Sequence, residues 1–325
     1  MIVVNFLILV AGFVALVKGA DIFVDGSSAL AKIFKVPGVI IGLTVVALGT
    51  SLPELAVSTT AALQGANEIA LSNVIGSNIF NLLVVLGVCA VIHSVPVDAV
   101  IIRRDFPLSI ITTAGLFIAV SFSSLFGGKF FQLAMTDNAG VVSRPIGLAL
   151  LVIFICYIIY LIFDSIRHPV EEEEISDIPL WKALLFILAG IVLIIAGGKA
   201  VVYSAQNIAR FFGMTETLIG LTVVAIGTSL PELVTSIVAA KKGETSLAVG
   251  NVVGSNIFNL LFILGVSTSI HPVMVNAASV YDMMILLFVS AMTLFFSVTG
   301  HSIKRLEGII MLLCYAGATA FAIIR

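Results

Sequence analysis

The chain has 325 residues, of which 60% are hydrophobic and 10% are charged, and its formal net charge is -2. An ordinary soluble domain carries roughly 25% charged residues, and a soluble protein of this size buries only about three quarters of its surface. The composition therefore excludes a soluble protein and predicts that lipid covers much of the apolar surface. No basic stripe is present, which argues against nucleic-acid binding, and the three cysteines stand singly in apolar runs without metal-ligand spacing.

Apolar stretches of the length needed to cross a bilayer, about 20 residues each, recur along the chain. A helix is the natural form for each of them, because a span must satisfy its own backbone hydrogen bonds. The sequence thus predicts an all-α membrane protein with ten transmembrane helices, near residues 2–30, 37–64, 68–93, 105–126, 143–163, 180–210, 215–240, 245–270, 280–298 and 305–324.

The distribution of Lys and Arg predicts the orientation, since these residues are more frequent in loops on the cytoplasmic side. If the N-terminus is outside, the loops that are then inside hold most of the Lys and Arg residues. The outside segments hold only Lys129, Arg144, Arg210 and Arg325. We therefore expect a multi-pass protein of the cell (inner) membrane with both termini outside.

The decisive feature is an internal repeat. Residues 42–88 and 220–266 align without a gap and are about two-thirds identical, including the polar segments GTSLPE and GSNIFN. The repeats predict two halves, 1–163 and 180–325, joined by a short cytoplasmic acidic linker at 164–179. Because each half has an odd number of spans, five, the second half enters the membrane from the opposite side. Such inverted repeats are a common plan of secondary transporters.

The GTSLPE segment predicts a broken helix in the middle of a span. Pro53 removes a backbone donor and Gly49 adds freedom, which should leave carbonyls such as that of Ala47 free to accept a ligand. Exposed carbonyls at membrane depth are tolerated where something polar fills the gap. The same reasoning applies to the second repeat, at Ala225, Gly227, Thr228, Ser229, Pro231 and Glu232.

Glu54 and Glu232 are the carboxylates well inside the apolar spans of the repeats, and burying such a group costs several kcal/mol. The alternative to a functional role is a pair with an intramembrane lysine, for which Lys18 and Lys199 are the candidates. Two glutamates in equivalent positions beside two broken helices favour a shared cation over such pairs.

The GSNIFN segment supplies hydroxyl and amide groups four residues apart, and therefore on one helix face. These are Ser77 with Asn81 in the first repeat and Ser255 with Asn259 in the second. All of the candidate ligands are oxygens, which suit Na⁺, Ca²⁺ or Mg²⁺ better than soft metals. Two carboxylates with several neutral oxygens in a flexible site are closer to a Ca²⁺ shell than to a Mg²⁺ site.

With GTSLPE followed by GSNIFN in both halves, the chain resembles the calcium/cation antiporter superfamily, in particular the prokaryotic sodium/calcium exchanger type. The resemblance implies exchange of Na⁺ for Ca²⁺, with helices 1 and 6 sliding across the others. It also implies an ion site made of oxygens from Ala47, Thr50, Ser51, Glu54, Ser77, Asn81, Ala225, Thr228, Ser229, Glu232, Ser255 and Asn259. Related exchangers often carry Asp at the position of Asn259, so the ion stoichiometry stays open.

Alternatives to Na⁺/Ca²⁺ exchange remain at this point. A Ca²⁺/H⁺ or other divalent cation/cation antiporter would use the same oxygens, and so would a cation channel, although a channel does not need inverted halves. An intramembrane serine protease is disfavoured because no histidine lies at the depth of Ser51 or Ser229. We expect no enzymatic activity, no cofactor apart from the transported Ca²⁺ and Na⁺, and no obligate protein partner; the surroundings are the lipid bilayer.

Overall fold

The computed structural model describes residues 2–65, 67–126, 133–167, 178–214 and 225–324, and most of these residues are helical. Two sequence predictions lie outside the described residues. These are the acidic run at 171–174 in the predicted linker and the first part of the predicted seventh span, residues 215–224.

Twelve helical segments succeed one another in the described residues. They are α1 (Ile2–Phe34), α2 (Gly38–Thr50), α3 (Leu52–Leu63), α4 (Glu68–Ile92), α5 (Phe106–Phe126, preceded directly by the π-helical turn Ile101–Asp105), α6 (Arg144–Arg167), α7 (Leu180–Phe211), α8 (Ala225–Thr228), α9 (Leu230–Lys241), α10 (Thr245–Ile270), α11 (Ala277–Val298) and α12 (Arg305–Ile324).

Within the described ranges, 7 helices are long and apolar enough to cross a membrane, or up to 8 if the bent pair α2 and α3 forms one span. The chain is therefore a largely helical membrane protein, as its composition predicts. The full set of ten spans in two inverted repeats stays a prediction.

Four short strands depart from the all-α prediction. Val95–Pro96 pairs with Ser302–Ile303, and Asn138–Val142 pairs with Val273–Asn276, both antiparallel. Each pair joins a segment of the first half to one of the second. The strands are not evident from the sequence because they are only 2 to 5 residues long, too short to show an alternating pattern.

The chain divides into two compact units, which we call unit 1 and unit 2. Unit 1 comprises Met1–Pro53 and Leu161–Val252, and unit 2 comprises Glu54–Tyr160 and Val253–Arg325. Each unit takes segments from both of the predicted halves. The two repeats at 1–163 and 180–325 are therefore a feature of the sequence, and remain a prediction as structural halves.

In unit 1, α1 and α7 pack antiparallel and in close contact. Gly12 faces Val201 near one end of the pair, and Gly26 faces Ala183 near the other. Between them, a Cβ atom added at Gly197 would lie 2.7 Å from the carbonyl oxygen of Gly12. Small residues let helix backbones approach in this way within a membrane.

In unit 2, glycines also bring helices together. A Cβ atom added at Gly308 of α12 would lie 2.7 Å from the carbonyl oxygen of Gly87 in α4. Phe154 of α6 packs against Phe258 and Phe262 of α10, with ring centroids 5.5 and 5.1 Å apart. These contacts fix α4 and the second part of α10, which carry the GSNIFN segments.

Candidate cation site

Both GTSLPE segments interrupt a helix, as predicted. In the first, α2 ends at Thr50 and α3 begins at Leu52 with a bend of 51°. In the second, Ser229 separates α8 from α9. Ser51 and Ser229 have nearly the same backbone conformation, with φ -85° and ψ 7° against φ -92° and ψ 7°.

Each interruption places a glutamate in the first turn of a new helix, Glu54 in α3 and Glu232 in α9. The preceding prolines, Pro53 and Pro231, fit there because the first turn of a helix has no use for their missing amide hydrogen. A carboxylate at a helix N-terminus is also favoured by the helix dipole. Both glutamate side chains are completely buried.

The prediction that the break frees the carbonyl of Ala47 is wrong. This oxygen accepts a hydrogen bond from the backbone amide of Ser51 at 3.0 Å. The physical reason is the position of the proline, because Pro53 removes the donor that would reach Gly49, four residues before it, and not the donor for Ala47. A role for the carbonyl of Ala47 in ion binding remains a prediction.

In unit 1 the structure brings residues of both repeats together. The hydroxyl of Ser51 donates to Oε1 of Glu232 at 2.9 Å, and the hydroxyl of Thr50 donates to Oδ1 of Asn251 at 3.0 Å. Asn251 in turn donates through Nδ2 to the hydroxyl of Ser236 at 2.9 Å. All five of these side chains are fully buried.

The other predicted ligands of unit 1 lie at the second interruption. Ser229 is fully buried. The hydroxyl oxygen of Thr228 is buried and has no hydrogen-bond partner among the described residues. Thr228 therefore differs from its counterpart Thr50, whose hydroxyl is bonded to Asn251. Ala225 is the first residue of α8.

In unit 2, Glu54 lies beside Ser77, whose hydroxyl donates to its Oε1 in a long hydrogen bond of 3.5 Å. Asn73 of α4 binds to α3 next to Glu54. Its Nδ2 donates to the hydroxyl of Ser58 at 2.9 Å and to the backbone carbonyl of Glu54 at 3.3 Å. Ser255, the counterpart of Ser77, is fully buried in α10.

The predicted amide ligands Asn81 and Asn259 are also fully buried in unit 2. Each donates a hydrogen bond through Nδ2, Asn81 to Oδ1 of Asn256 and Asn259 to Oδ1 of Asn78. Their own Oδ1 atoms are buried and have no hydrogen-bond partner among the described residues. Burying an amide oxygen without a hydrogen-bond partner costs free energy, unless a cation binds to the oxygen.

Both GSNIFN segments run into a π-helical turn, Asn81–Val85 in α4 and Phe258–Ile263 in α10. Such turns are rare and are found frequently at functional sites. The sequence predicts a regular helix here and gives no sign of the turns. The supporting polar residues are also missing from the prediction, although their identity in both repeats was a usable signal: Ser58 with Ser236, Asn73 with Asn251 and Asn78 with Asn256.

The donor set consists of carboxylate, hydroxyl and amide oxygens, which is the chemistry of hard cations such as Na⁺ and Ca²⁺. Two lysines could have paired with the glutamates, Lys18 on α1 and Lys199 on α7. Both lysines are exposed, whereas both glutamates are buried. The buried glutamates therefore have the features of functional intramembrane carboxylates.

Helices long enough to cross a membrane, two interrupted helices and buried carboxylate, hydroxyl and amide oxygens define the class of the protein as a polytopic membrane transporter for cations. A sequence model described as sodium/calcium exchanger protein matches residues 4–163 and 182–324. The chain therefore belongs to the sodium/calcium exchanger family, and within the calcium/cation antiporter superfamily it is of the prokaryotic type.

Individual relatives agree with this assignment. The sodium/calcium exchanger MaX1 of Methanosarcina acetivorans is 34% identical over 97% of each chain. The inner membrane protein YrbG of Escherichia coli is 36% identical over 82% of this chain and 79% of its own. A solved structure of the sodium-calcium exchanger NCX_Mj superposes with a TM-score of 0.81 at 30% identity, covering 98% of this chain and 99% of the other. The chain is thus an antiporter of a transporter family.

Proposed function

We propose that this antiporter exchanges Na⁺ for Ca²⁺ across the cell membrane by alternating access, as a protein of ten spans in two inverted repeats with both termini outside. The observation that carries the proposal is the pair of fully buried glutamates, each at the start of a half-helix and each beside a serine hydroxyl. Carboxylate oxygens suit Ca²⁺, and the neutral oxygens near each glutamate suit Na⁺ as well.

The proposed ligands are side-chain or backbone oxygens of the two motifs. In the first repeat they come from Ala47, Thr50, Ser51, Glu54, Ser77 and Asn81, and in the second from Ala225, Thr228, Ser229, Glu232, Ser255 and Asn259. The names of MaX1 and NCX_Mj, which are both called sodium/calcium exchangers, support this choice of ions.

The test is Ca²⁺ uptake by the purified protein in liposomes. Liposomes loaded with Na⁺ are diluted into a Na⁺-free medium with labelled Ca²⁺, and we expect rapid uptake that stops when internal Na⁺ is replaced by K⁺ or choline. Empty liposomes are the control for leakage. Uptake driven by an outward proton gradient in the absence of Na⁺, together with no response to a Na⁺ gradient, would replace this proposal by a Ca²⁺/H⁺ antiporter.

A further inference from the structure

Four buried asparagines form one hydrogen-bonded cluster in unit 2. They are the two asparagines of each GSNIFN segment, Asn78 and Asn81 from α4 and Asn256 and Asn259 from α10, and none is more than 2% exposed. The sequence motif assigns a role as ligands to Asn81 and Asn259 only. Asn78 and Asn256 are equally buried and have no assigned function.

Asn78 and Asn256 bind to each other's backbone. Nδ2 of Asn78 donates to the carbonyl oxygen of Asn256 at 3.2 Å, and Nδ2 of Asn256 donates to the carbonyl oxygen of Asn78 at 3.3 Å. A carbonyl oxygen only accepts hydrogen bonds, so each side-chain amide must present its NH₂ group to it. This reciprocal pair fixes the direction of the two Oδ1 atoms as well.

The fixed Oδ1 atoms then determine the orientation of the other two amides. Oδ1 of Asn78 accepts from Nδ2 of Asn259 at 3.0 Å, and Oδ1 of Asn256 accepts from Nδ2 of Asn81 at 3.1 Å. A flipped Asn81 or Asn259 would place two acceptor oxygens against each other. The flip is therefore disfavoured, and the Oδ1 atoms of Asn81 and Asn259 are turned away from the cluster, where neither has a hydrogen-bond partner among the described residues.

We propose that Asn78 and Asn256 are positioning residues, which orient the amides of Asn259 and Asn81 so that their oxygens and not their NH₂ groups face the transported cation. The inference rests on the proposed function, since it concerns the same ligands. The dependence is crossed between the repeats: Asn78 acts through Asn259 of the other repeat and not through Asn81, which is one helical turn away on the same helix. Groups that orient metal ligands typically change metal affinity by about 10–100-fold when they are removed.

The test compares Asn78→Ala, Asn259→Ala and Asn81→Ala with the double variants 78/259 and 78/81. Two quantities are measured on each: the Ca²⁺ concentration for half-maximal exchange in liposomes, and equilibrium binding of labelled Ca²⁺ to the purified protein. We expect Asn78→Ala to raise the half-maximal concentration by about 10-fold or more, with a smaller change in the maximal rate. Asn207→Ala, at a half-buried asparagine of α7 outside the motifs, is the control.

The crossed pattern distinguishes positioning from a general loss of structure. Adding Asn78→Ala to Asn259→Ala should change the half-maximal concentration no further, whereas adding it to Asn81→Ala should multiply the two single effects. Because the arrangement occurs twice, Asn256→Ala with Asn81 provides a second cycle if Asn78→Ala does not fold.

Two results would overturn the inference. One is a wild-type half-maximal concentration in Asn78→Ala, and the other is equal coupling of position 78 to positions 81 and 259. Failure of the proposed function gives a different result, since the wild-type protein itself would then show no Na⁺-dependent Ca²⁺ exchange while the variants could still be compared by Ca²⁺ binding.

Discussion

At the scale of single residues, the buried carboxylates impose the strongest constraint on the chemistry. Glu54 and Glu232 have no exposed surface, and the contacts of each include a hydroxyl donor, from Ser77 and Ser51 respectively. A hydrogen bond from a neutral hydroxyl returns far less free energy than removing a carboxylate from water costs. A bound cation stabilises a buried carboxylate more strongly than a neutral donor does.

We therefore expect Glu54→Gln and Glu232→Gln each to abolish exchange. Glutamine keeps the size of the side chain but removes one negative charge, so part of the charge of a bound cation is left uncompensated. An uncompensated buried charge costs ~3–5 kcal/mol. That cost corresponds to a loss of more than about 100-fold in cation binding. The measurement is Na⁺-driven Ca²⁺ uptake in liposomes, normalised to the amount of folded protein.

The matched control is Glu68→Gln, because Glu68 is exposed in the first turn of α4 and should tolerate the same substitution. Ser77→Ala and Ser255→Ala should cause smaller, graded losses, since each removes one neutral oxygen among several. Undiminished exchange by Glu54→Gln would be incompatible with this residue as a ligand.

The sequence identifies the chemically costly residues but not their supports. A charged or polar side chain is unfavourable in an apolar span, so its presence there indicates a function. The sequence selects Glu54, Glu232, Ser77 and Asn81 on this ground. Asn78 stands in the same motif, and its bond to Asn256 depends on how α4 and α10 cross in three dimensions. No local pattern contains that information.

At the scale of helices, the interruptions follow from proline chemistry, whereas the π-helical turns depend on tertiary packing. Pro53 and Pro231 each lie in the first turn of a new helix, and a proline in the sequence indicates this position directly. Nothing comparable marks Asn81 or Phe258 as the start of a π-helical turn, because both segments read as regular apolar helix. The bounds of the long spans could be predicted within a few residues. A segment that crosses lipid must satisfy its own backbone hydrogen bonds, so each span is one helix and appears in the sequence as one apolar stretch.

The close pair of α1 and α7 leads to a prediction for stability. In the register of the repeats, Gly12 corresponds to Gly190 and Gly19 to Gly197, so both helices carry glycines at equivalent positions of the contact. Gly197→Ala would place a Cβ atom 2.7 Å from the carbonyl oxygen of Gly12 and 2.7 Å from the amide nitrogen of Leu16. Backbone atoms cannot rotate away, so the helices must separate, and overpacking of this kind costs ~1–3 kcal/mol.

Thermal unfolding of the purified protein in detergent measures this effect as a lower midpoint for Gly197→Ala. The control is Gly317→Ala in α12, where an added Cβ atom would meet no atom within 4 Å. Alanine is the better helix former by ~0.5–1 kcal/mol, so this variant should be neutral or slightly more stable. A midpoint for Gly197→Ala at or above wild type would show that α1 and α7 do not pack as closely as these distances require.

At the scale of the whole molecule, the two repeats are similar in sequence and different in local structure. The hydroxyl of Thr50 is bonded to Asn251, while that of its counterpart Thr228 has no hydrogen-bond partner among the described residues. If the repeats are inverted as proposed, exchanging their roles converts one access state into the other, and the two repeats need not make the same local contacts in a single state.

The inverted arrangement itself predicts the orientation of two turns in the membrane. Gln64 and Lys241 lie at the turns after α3 and α9, and both are exposed. In a protein with five spans per half these turns must face opposite sides of the membrane, and the Lys and Arg distribution places Lys241 inside and Gln64 outside.

Single cysteines at these positions, in a background without Cys89, Cys156 and Cys314, should react with a membrane-impermeant maleimide from opposite sides. In intact cells we expect labelling of Gln64→Cys alone, and in inside-out vesicles labelling of Lys241→Cys alone, with permeabilised membranes as the control for reactivity. Labelling of both positions from one side would refute the inverted repeats, and labelling with the sides exchanged would keep the repeats but place both termini inside.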